Sequence, residues 1–275
     1  MNIRTALQQG SRLLDENGVA APRLTAEVLL AHVLRRERTY LYSHPEDELD
    51  DSERVRFGRA LFERLEGKPT QYITGVQEFY GREFVVRPGV FIPRPETEHV
   101  IEMALRLAPD AERILDAGCG SGAIAVTLSL EMRRPVFASD ISEAALAATR
   151  ENAGRLGADV RLVRGDLASM FASRSIDLLA SNPPYIPERE REGLPREVRE
   201  HEPETALFAG PEGLDVYRRL ITEAARVLRP GGRIAFEIGY QQADSVCALL
   251  GSGWHAIEVA ADLAGLPRVL AARYQ

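Results

Sequence analysis

From Ala111 onward, short apolar runs alternate with longer amphipathic stretches. The runs at 113–116, 136–139, 160–163, 176–180, 233–238, 254–259 and 268–272 have strand length, and 176–180 reads as a buried strand. The stretches 123–131, 143–156, 214–228 and 241–250 read as helices. Strands alternating with helices predict a parallel sheet covered on both faces. Only Asp262 to Pro267 separates the last two strands, too short for a crossover, so the last strand is expected to run antiparallel. The fold class is α/β: a seven-stranded, Rossmann-like sheet, mostly parallel.

Residues 1–75 carry a helical period instead. Ala6, Leu7, Leu13 and Leu14 recur within 4–17, and Leu24, Val28, Leu29 and Val33 within 22–36. Val55, Phe57, Leu61, Phe62 and Leu65 recur within 51–66, with Asp50, Asp51 or Ser52 as candidate caps. Pro22 suits a first helical turn. This is a small helical bundle, and its pattern fits a stabilising extension or a docking platform for a macromolecule equally well. Residues 76–94 change character. An aromatic, β-branched run around Gly81 predicts a hairpin, and Pro93 and Pro95 stiffen the connector after it. Phe91 and Arg94 on that segment could cover a ligand or belong to a plain linker. Three regions result: 1–75, 76–94 and 95–275.

A length of 275 residues leaves room for about two domains. The net charge of −7 argues against a general nucleic-acid coat, which needs a basic surplus. Cys119 and Cys247 are the only cysteines and lack metal-ligand spacing. No apolar run approaches the roughly 18 residues of a membrane span, and the polar, amphipathic start suggests no signal peptide. A cytoplasmic, reduced, metal-free protein without a membrane partner is expected.

Two stretches carry candidate chemistry. The first strand runs through Asp116 into Gly118-Cys119-Gly120-Ser121-Gly122, where glycines let the backbone turn tightly and approach a ligand. A helix starts directly after, so free N–H groups face the same spot. About twenty residues on, Asp140 ends the next strand, placed to accept from ribose hydroxyls. Asp116 favours a sulfonium or amino group over a pyrophosphate, so S-adenosylmethionine is preferred to NAD. Asp166 and Leu167 close the third strand, where side chains could flank an adenine, although Asp166 also suits a helix cap. Cys119 reads as packing, since nothing nearby supplies a base.

The second stretch is Ser181-Asn182-Pro183-Pro184-Tyr185, at the carboxyl end of the buried strand, the edge where open α/β sheets bind ligands. Pro183 and Pro184 have no N–H, so the backbone there only accepts. Asn182 adds an acceptor oxygen and Tyr185 a flat ring. Such a corner grips a planar –NH2 group and aims its nitrogen.

These residues resemble the bacterial release-factor glutamine methyltransferases (PrmC/HemK). The likeness rests on Phe79 to Phe84, on Phe91-Ile92-Pro93-Arg94-Pro95-Glu96-Thr97-Glu98, on Asp116 to Gly122 and on Ser181 to Ile186. His201-Glu202-Pro203 and Ala206-Leu207 are similar to the family's segment after the Asn-Pro-Pro-Tyr corner. The resemblance spans essentially the whole chain. It implies a class I methyltransferase domain behind a helical release-factor recognition domain and a hairpin linker. It also implies methyl transfer from S-adenosylmethionine to the side-chain amide nitrogen of the glutamine in the Gly-Gly-Gln loop of release factors. Carried over, Gly118 to Gly122, Asp140, Leu167 and Asn182 hold the cofactor, and Asn182 to Tyr185 hold the glutamine. Leu167 is aliphatic where the family is often aromatic, and Cys119 stands where Thr is common.

In the mechanism expected, Asn182 Oδ1 and the Pro183 carbonyl accept the two amide N–H donors, Tyr185 packs on the amide plane, and no general base is required. The competing readings are an adenine N6-methyltransferase, whose exocyclic amine fits the same corner, a ribosomal-protein glutamine methyltransferase and a non-catalytic adaptor. Residues 188–200, strongly charged, read as mobile.

Overall fold

The computed structural model describes residues 1–275. The chain forms two compact units, one of Met1–Val76 with Pro195–His201, the other of Gln77–Leu194 with Glu202–Gln275. No helix is long and apolar enough to cross a membrane.

The first unit contains α1 (Ile3–Glu16), α2 (Pro22–Leu34), α3 (Arg38–Ser43), α4 (Asp51–Leu65) and α5 (Thr70–Thr74). From farther along the chain comes α9 (Arg196–His201). Ile3, Leu7 and Leu14 of α1 meet Leu29, Leu30 and Val33 of α2 and Phe57 and Leu61 of α4 in one core. Leu13, Leu24, Val55 and Phe62 belong to the sequence stripes but are exposed. Neighbours in a helix differ by about 100°, so Leu13 and Phe62 turn away where Leu14 and Leu61 turn in. Asp50 is the cap of α4, in a reciprocal box with Glu53: Glu53 N–H donates to Asp50 Oδ1 at 2.6 Å and Asp50 N–H to Glu53 Oε2 at 2.8 Å. Arg64 pairs with Glu197, which ties α9 to α4. Helices α3 and α5 span six and five residues, too few to display a period.

In the second unit, β1 (Val76–Phe79) and β2 (Arg82–Val85) form the hairpin, turning at Tyr80 and Gly81 with φ of 52° and 68°. That turn needs left-handed backbone at both central positions. Next come α6 (Glu98–Leu107), β3 (Ile114–Ala117), α7 (Ala123–Met132), β4 (Val136–Asp140), α8 (Glu143–Leu156), β5 (Val160–Arg164) and β6 (Ile176–Ser181). After them come α10 (Asp215–Val227), β7 (Leu228–Glu237), α11 (Ala243–Cys247), β8 (Trp254–Ala261) and β9 (Pro267–Tyr274). The seven-stranded sheet has the order β5-β4-β3-β6-β7-β9-β8. β9 lies antiparallel to both neighbours, and the other pairs are parallel. The strand period of two divides the core. Ile114, Leu178 and Ala235 face α6, α7 and α8, while Leu115, Leu179 and Phe236 face α10 and α11.

Three segments depart from the sequence reading by more than a residue or two at an end. β7 starts at Leu228 rather than 233, because the ladder with β6 shifts register where Pro230, Gly231 and Gly232 interrupt the apolar run. α11 covers only Ala243–Cys247 of the expected 241–250. The charged stretch 188–200 is helical, as a 3-10 turn at Glu188–Gly193 followed by α9.

Candidate active site

The carboxyl ends of β3, β4 and β6 build the site. β3 leads into the glycine loop, where Gly118 and Cys119 N–H both donate to the Ser139 carbonyl, at 2.8 and 3.0 Å. The loop is thereby folded against the end of β4. Gly122 has φ of 84°, and a Cβ there would lie 2.8 Å from Thr149 Cγ2 of α8. Gly122→Ala is therefore expected to destabilise the protein by about 1–3 kcal/mol, read in a denaturant melt. At Gly118 and Gly120 the opposite holds: a Cβ would meet nothing within 4 Å. The loop leaves open space on that side, and its glycines admit a close ligand there.

Asp140 stands at the centre of this loop. Its Oδ2 accepts from Gly120 N–H at 3.0 Å and its Oδ1 from Ser142 N–H at 2.8 Å. Each oxygen keeps a further lone pair for a hydroxyl. Burial raises its carboxyl above the ordinary range, against the pull of those N–H groups. Leu167 is beside it. Gly165 N–H donates to the Asp140 carbonyl at 3.1 Å, and Ser139 Oγ donates to the Leu167 carbonyl at 2.6 Å. Leu167 takes φ of 49° and packs on the α10 side of the core. Ser121 is buried, and its carbonyl accepts from Asn152 Nδ2 at 2.9 Å. Asn152 also exchanges hydrogen bonds with Val85 at 2.8 and 3.0 Å, clamping the hairpin to the loop. Cys119 is buried beside Thr149 Oγ1 at 3.3 Å, and burial pushes its thiol well up, which leaves it a packing group.

Asp116 is fully buried, not a charge facing the open side of the loop. Its Oδ2 accepts from Ala125 N–H at 2.9 Å in the first turn of α7, while Oδ1 has no partner in the chain. Burial pushes its carboxyl up from 3.8 to about 8. The native state thus keeps a proton that the unfolded chain releases. Stability should fall as pH rises from 3.8 to about 8. Asp116→Asn, neutral at every pH, is expected to flatten that fall, read from denaturant midpoints across the window without cofactor. Some slope remains, because Asp140 and Glu237 are shifted the same way.

The corner after β6 abuts the glycine loop. Ser181 Oγ donates to the Ala117 carbonyl at 2.6 Å, immediately before Gly118. Asn182 Nδ2 donates to Thr97 Oγ1 at 2.9 Å, which leaves Oδ1 without a partner in the chain. Pro183 is buried, and no hydrogen bond from the chain ends on its carbonyl. The Tyr185 hydroxyl points inward, donating to Glu237 Oε1 at 3.0 Å, and its carbonyl accepts from Gln242 Nε2 at 3.0 Å.

The remaining candidates have other partners. Arg94 pairs with the buried Glu202, donates to the Ile92 carbonyl at 3.0 Å and lies 4.8 Å from the centre of the Phe91 ring. Together they brace the connector rather than leave a free cation over a ligand. Asp166 pairs with Arg219 of α10, and no helix begins between β5 and β6 for it to cap. Thr97, Glu237, Glu202 and Asn152 were missed as site or bracing residues. Glu237 carried a signal, an acid closing the apolar run Ile234-Ala235-Phe236. Thr97 lay within the proline-rich run.

The open cradle at Gly118 and Gly120 and the spare lone pairs of Asp140 suit a nucleoside cofactor. Residues 5–75 match the family model described as PrmC N-terminal domain, and residues 83–195 match the methyltransferase small domain. A release factor glutamine methyltransferase from Koribacter versatilis is 44% identical over 277 residues, 99% of each chain. Another, from Moorella thermoacetica, is 46% identical over 251 residues, 90% of this chain and 88% of its own. Among solved structures, a methyltransferase from Pyrococcus furiosus aligns with a TM-score of 0.55 at 18% identity, over 80% of this chain and 98% of its own. A T. thermophilus 16S rRNA methyltransferase in complex with AdoMet and guanosine aligns at 0.52 and 20%, over 73% of this chain and 50% of its own. At such identities the structural likeness is one of fold.

Proposed function

The chain belongs to the release factor glutamine methyltransferase family, and on that premise we propose that its Asn182–Tyr185 corner holds the glutamine carboxamide of a release factor against S-adenosylmethionine. The protein is a methyltransferase, and its substrate is a glutamine of peptide-chain release factors. The finer reading is transfer to the side-chain amide nitrogen of the glutamine in their Gly-Gly-Gln loop. The Gly118–Gly122 loop and Asp140 would hold the cofactor, with Leu167 flanking it. The helical unit of residues 1–75 would recognise the release factor.

When bound, S-adenosylmethionine supplies an electrophilic methyl carbon. The chain's own task is positioning, because an amide nitrogen is a poor nucleophile with its lone pair drawn into the carbonyl. Asn182 Oδ1 and the Pro183 carbonyl accept the two amide N–H donors and so set the direction of the nitrogen. These acceptors strengthen their hold as positive charge grows on nitrogen, favouring the transition state over the ground state. Placement of this kind lowers a barrier by several kcal/mol, about 7–11 in the best model systems. Tyr185 lends the face of its ring to the amide plane. The proton leaves to water once nitrogen carries the new methyl.

One observation carries this reading. The Asn182 amide already spends its N–H on Thr97, so its unengaged oxygen and the unengaged Pro183 carbonyl are left at a corner bonded to the start of the glycine loop. Labelled S-adenosylmethionine offered with either a release factor or duplex DNA tests it. Label is expected in the protein alone. Label in DNA adenine would establish the nucleic-acid reading instead.

A further inference from the structure

Glu237 is 1% exposed at the end of β7, with no lysine or arginine paired to it. A buried carboxylate is costly unless hydrogen-bonded, and both of its oxygens are engaged here. Thr97 Oγ1 donates to Oε2 at 2.6 Å, and the Tyr185 hydroxyl donates to Oε1 at 3.0 Å. Asn182 Nδ2 in turn reaches Thr97 Oγ1 at 2.9 Å. One acid therefore holds two residues of the substrate corner, one directly and one through a hydroxyl.

We propose that Glu237 is a positioning residue that sets, through Thr97, which end of the Asn182 amide faces the substrate.

The argument is one of hydrogen-bond polarity. In its ionised form Glu237 only accepts. The single hydroxyl hydrogen of Thr97 is therefore committed to Glu237, and its oxygen has only lone pairs left for Asn182. Asn182 must then turn its –NH2 toward Thr97 and its Oδ1 the other way. Without the acid, Thr97 is free to donate to Oδ1. The amide then flips and presents a donor to a substrate that itself arrives with N–H groups. Two donors facing each other leave both unsatisfied, the costly kind of polar contact. Tyr185 depends on the same group, since its hydroxyl ends on Glu237 and fixes the ring against the core. The sheet makes this possible. Phe236 points toward α10, so Glu237 points to the opposite face, where Thr97 enters α6.

The inference rests on the reading that the corner holds a carboxamide, and its test separates the two. Turnover of a bacterial release factor with labelled S-adenosylmethionine is measured in Glu237→Gln, Thr97→Val, Thr97→Ser and Asn182→Ala, beside the cofactor Kd by calorimetry. Glu237→Gln and Thr97→Val keep size and shape but remove the fixed polarity. Each is expected to lower kcat about tenfold or more, with cofactor Kd within about twofold. Thr97→Ser keeps the hydroxyl and should restore most of kcat. The Thr97→Val/Glu237→Gln double variant should be little worse than either alone, since both break one chain of bonds. Wild-type kcat in Glu237→Gln, alongside a crippled Asn182→Ala, overturns the inference and leaves the corner reading standing. A Thr97→Ser variant as impaired as Thr97→Val also overturns it, by showing that shape and not the hydroxyl matters. Near-normal turnover in Asn182→Ala overturns both.

Discussion

Asn182→Ala is expected to reduce methyl transfer to a release factor by about a hundredfold or more, the usual worth of one polar contact that acts on developing charge. The substitution removes Oδ1, the side-chain acceptor that the corner turns outward, and leaves the Pro183 carbonyl alone to hold two N–H donors. The amide nitrogen can then rotate, and its time spent in line with the methyl carbon shrinks. The fold should be unaffected. Asn182 is only part-buried, its one bond in the chain is to Thr97, and the corner remains tied down by Ser181 and Gln242. Cofactor affinity should stay largely intact, because the glycine loop and Asp140 do not lean on the Asn182 side chain. The loss therefore falls on kcat. A fall in cofactor binding equal to the fall in turnover would assign Asn182 to the cofactor rather than to the amide.

Asp140→Ala should act on the other substrate. Two backbone N–H groups, of Gly120 and Ser142, end on this carboxylate. Hydrogen bonds to a charged group contribute about 1.5–3 kcal/mol each. The loop therefore loses its brace, and the ribose loses its acceptor in the same step. S-adenosylmethionine affinity is expected to drop by about tenfold to a hundredfold, at roughly 1.4 kcal/mol per factor of ten. Calorimetric titration reads this directly. Turnover at saturating cofactor should fall much less than in Asn182→Ala, since the corner does not touch Asp140. Unchanged affinity would place the nucleoside elsewhere.

Much of the fold, and where the candidate site lies in it, was legible in the sequence because the informative residues are local. The glycine loop, Asp140 and the Asn-Pro-Pro-Tyr corner each lie at a strand end, and runs such as 176–180 place those ends. The antiparallel β9 followed from the short connection before it. What could not be read depends on pairings distant along the chain. Thr97 meets Glu237 across 140 positions, and Arg94 meets Glu202 across 108. No periodicity encodes such contacts, and only the oddity of an acid closing an apolar run hints at one of them. Asp116 was misjudged for a related reason. Its position before the loop suggested a charge facing ligand, whereas the strand period turns it toward α7, where it takes the Ala125 N–H. Helix α9 was hidden by its charges, which suggested mobility but serve instead in pairings such as Arg64 with Glu197.

The most direct test of the account is tandem mass spectrometry of a release factor incubated with S-adenosylmethionine and either this protein or its Asn182→Ala variant. The account predicts one added methyl, located on a glutamine side-chain nitrogen, with the wild-type protein and almost none with the variant over the same time. A methyl on any other group, or equal methylation by the two proteins, would contradict it.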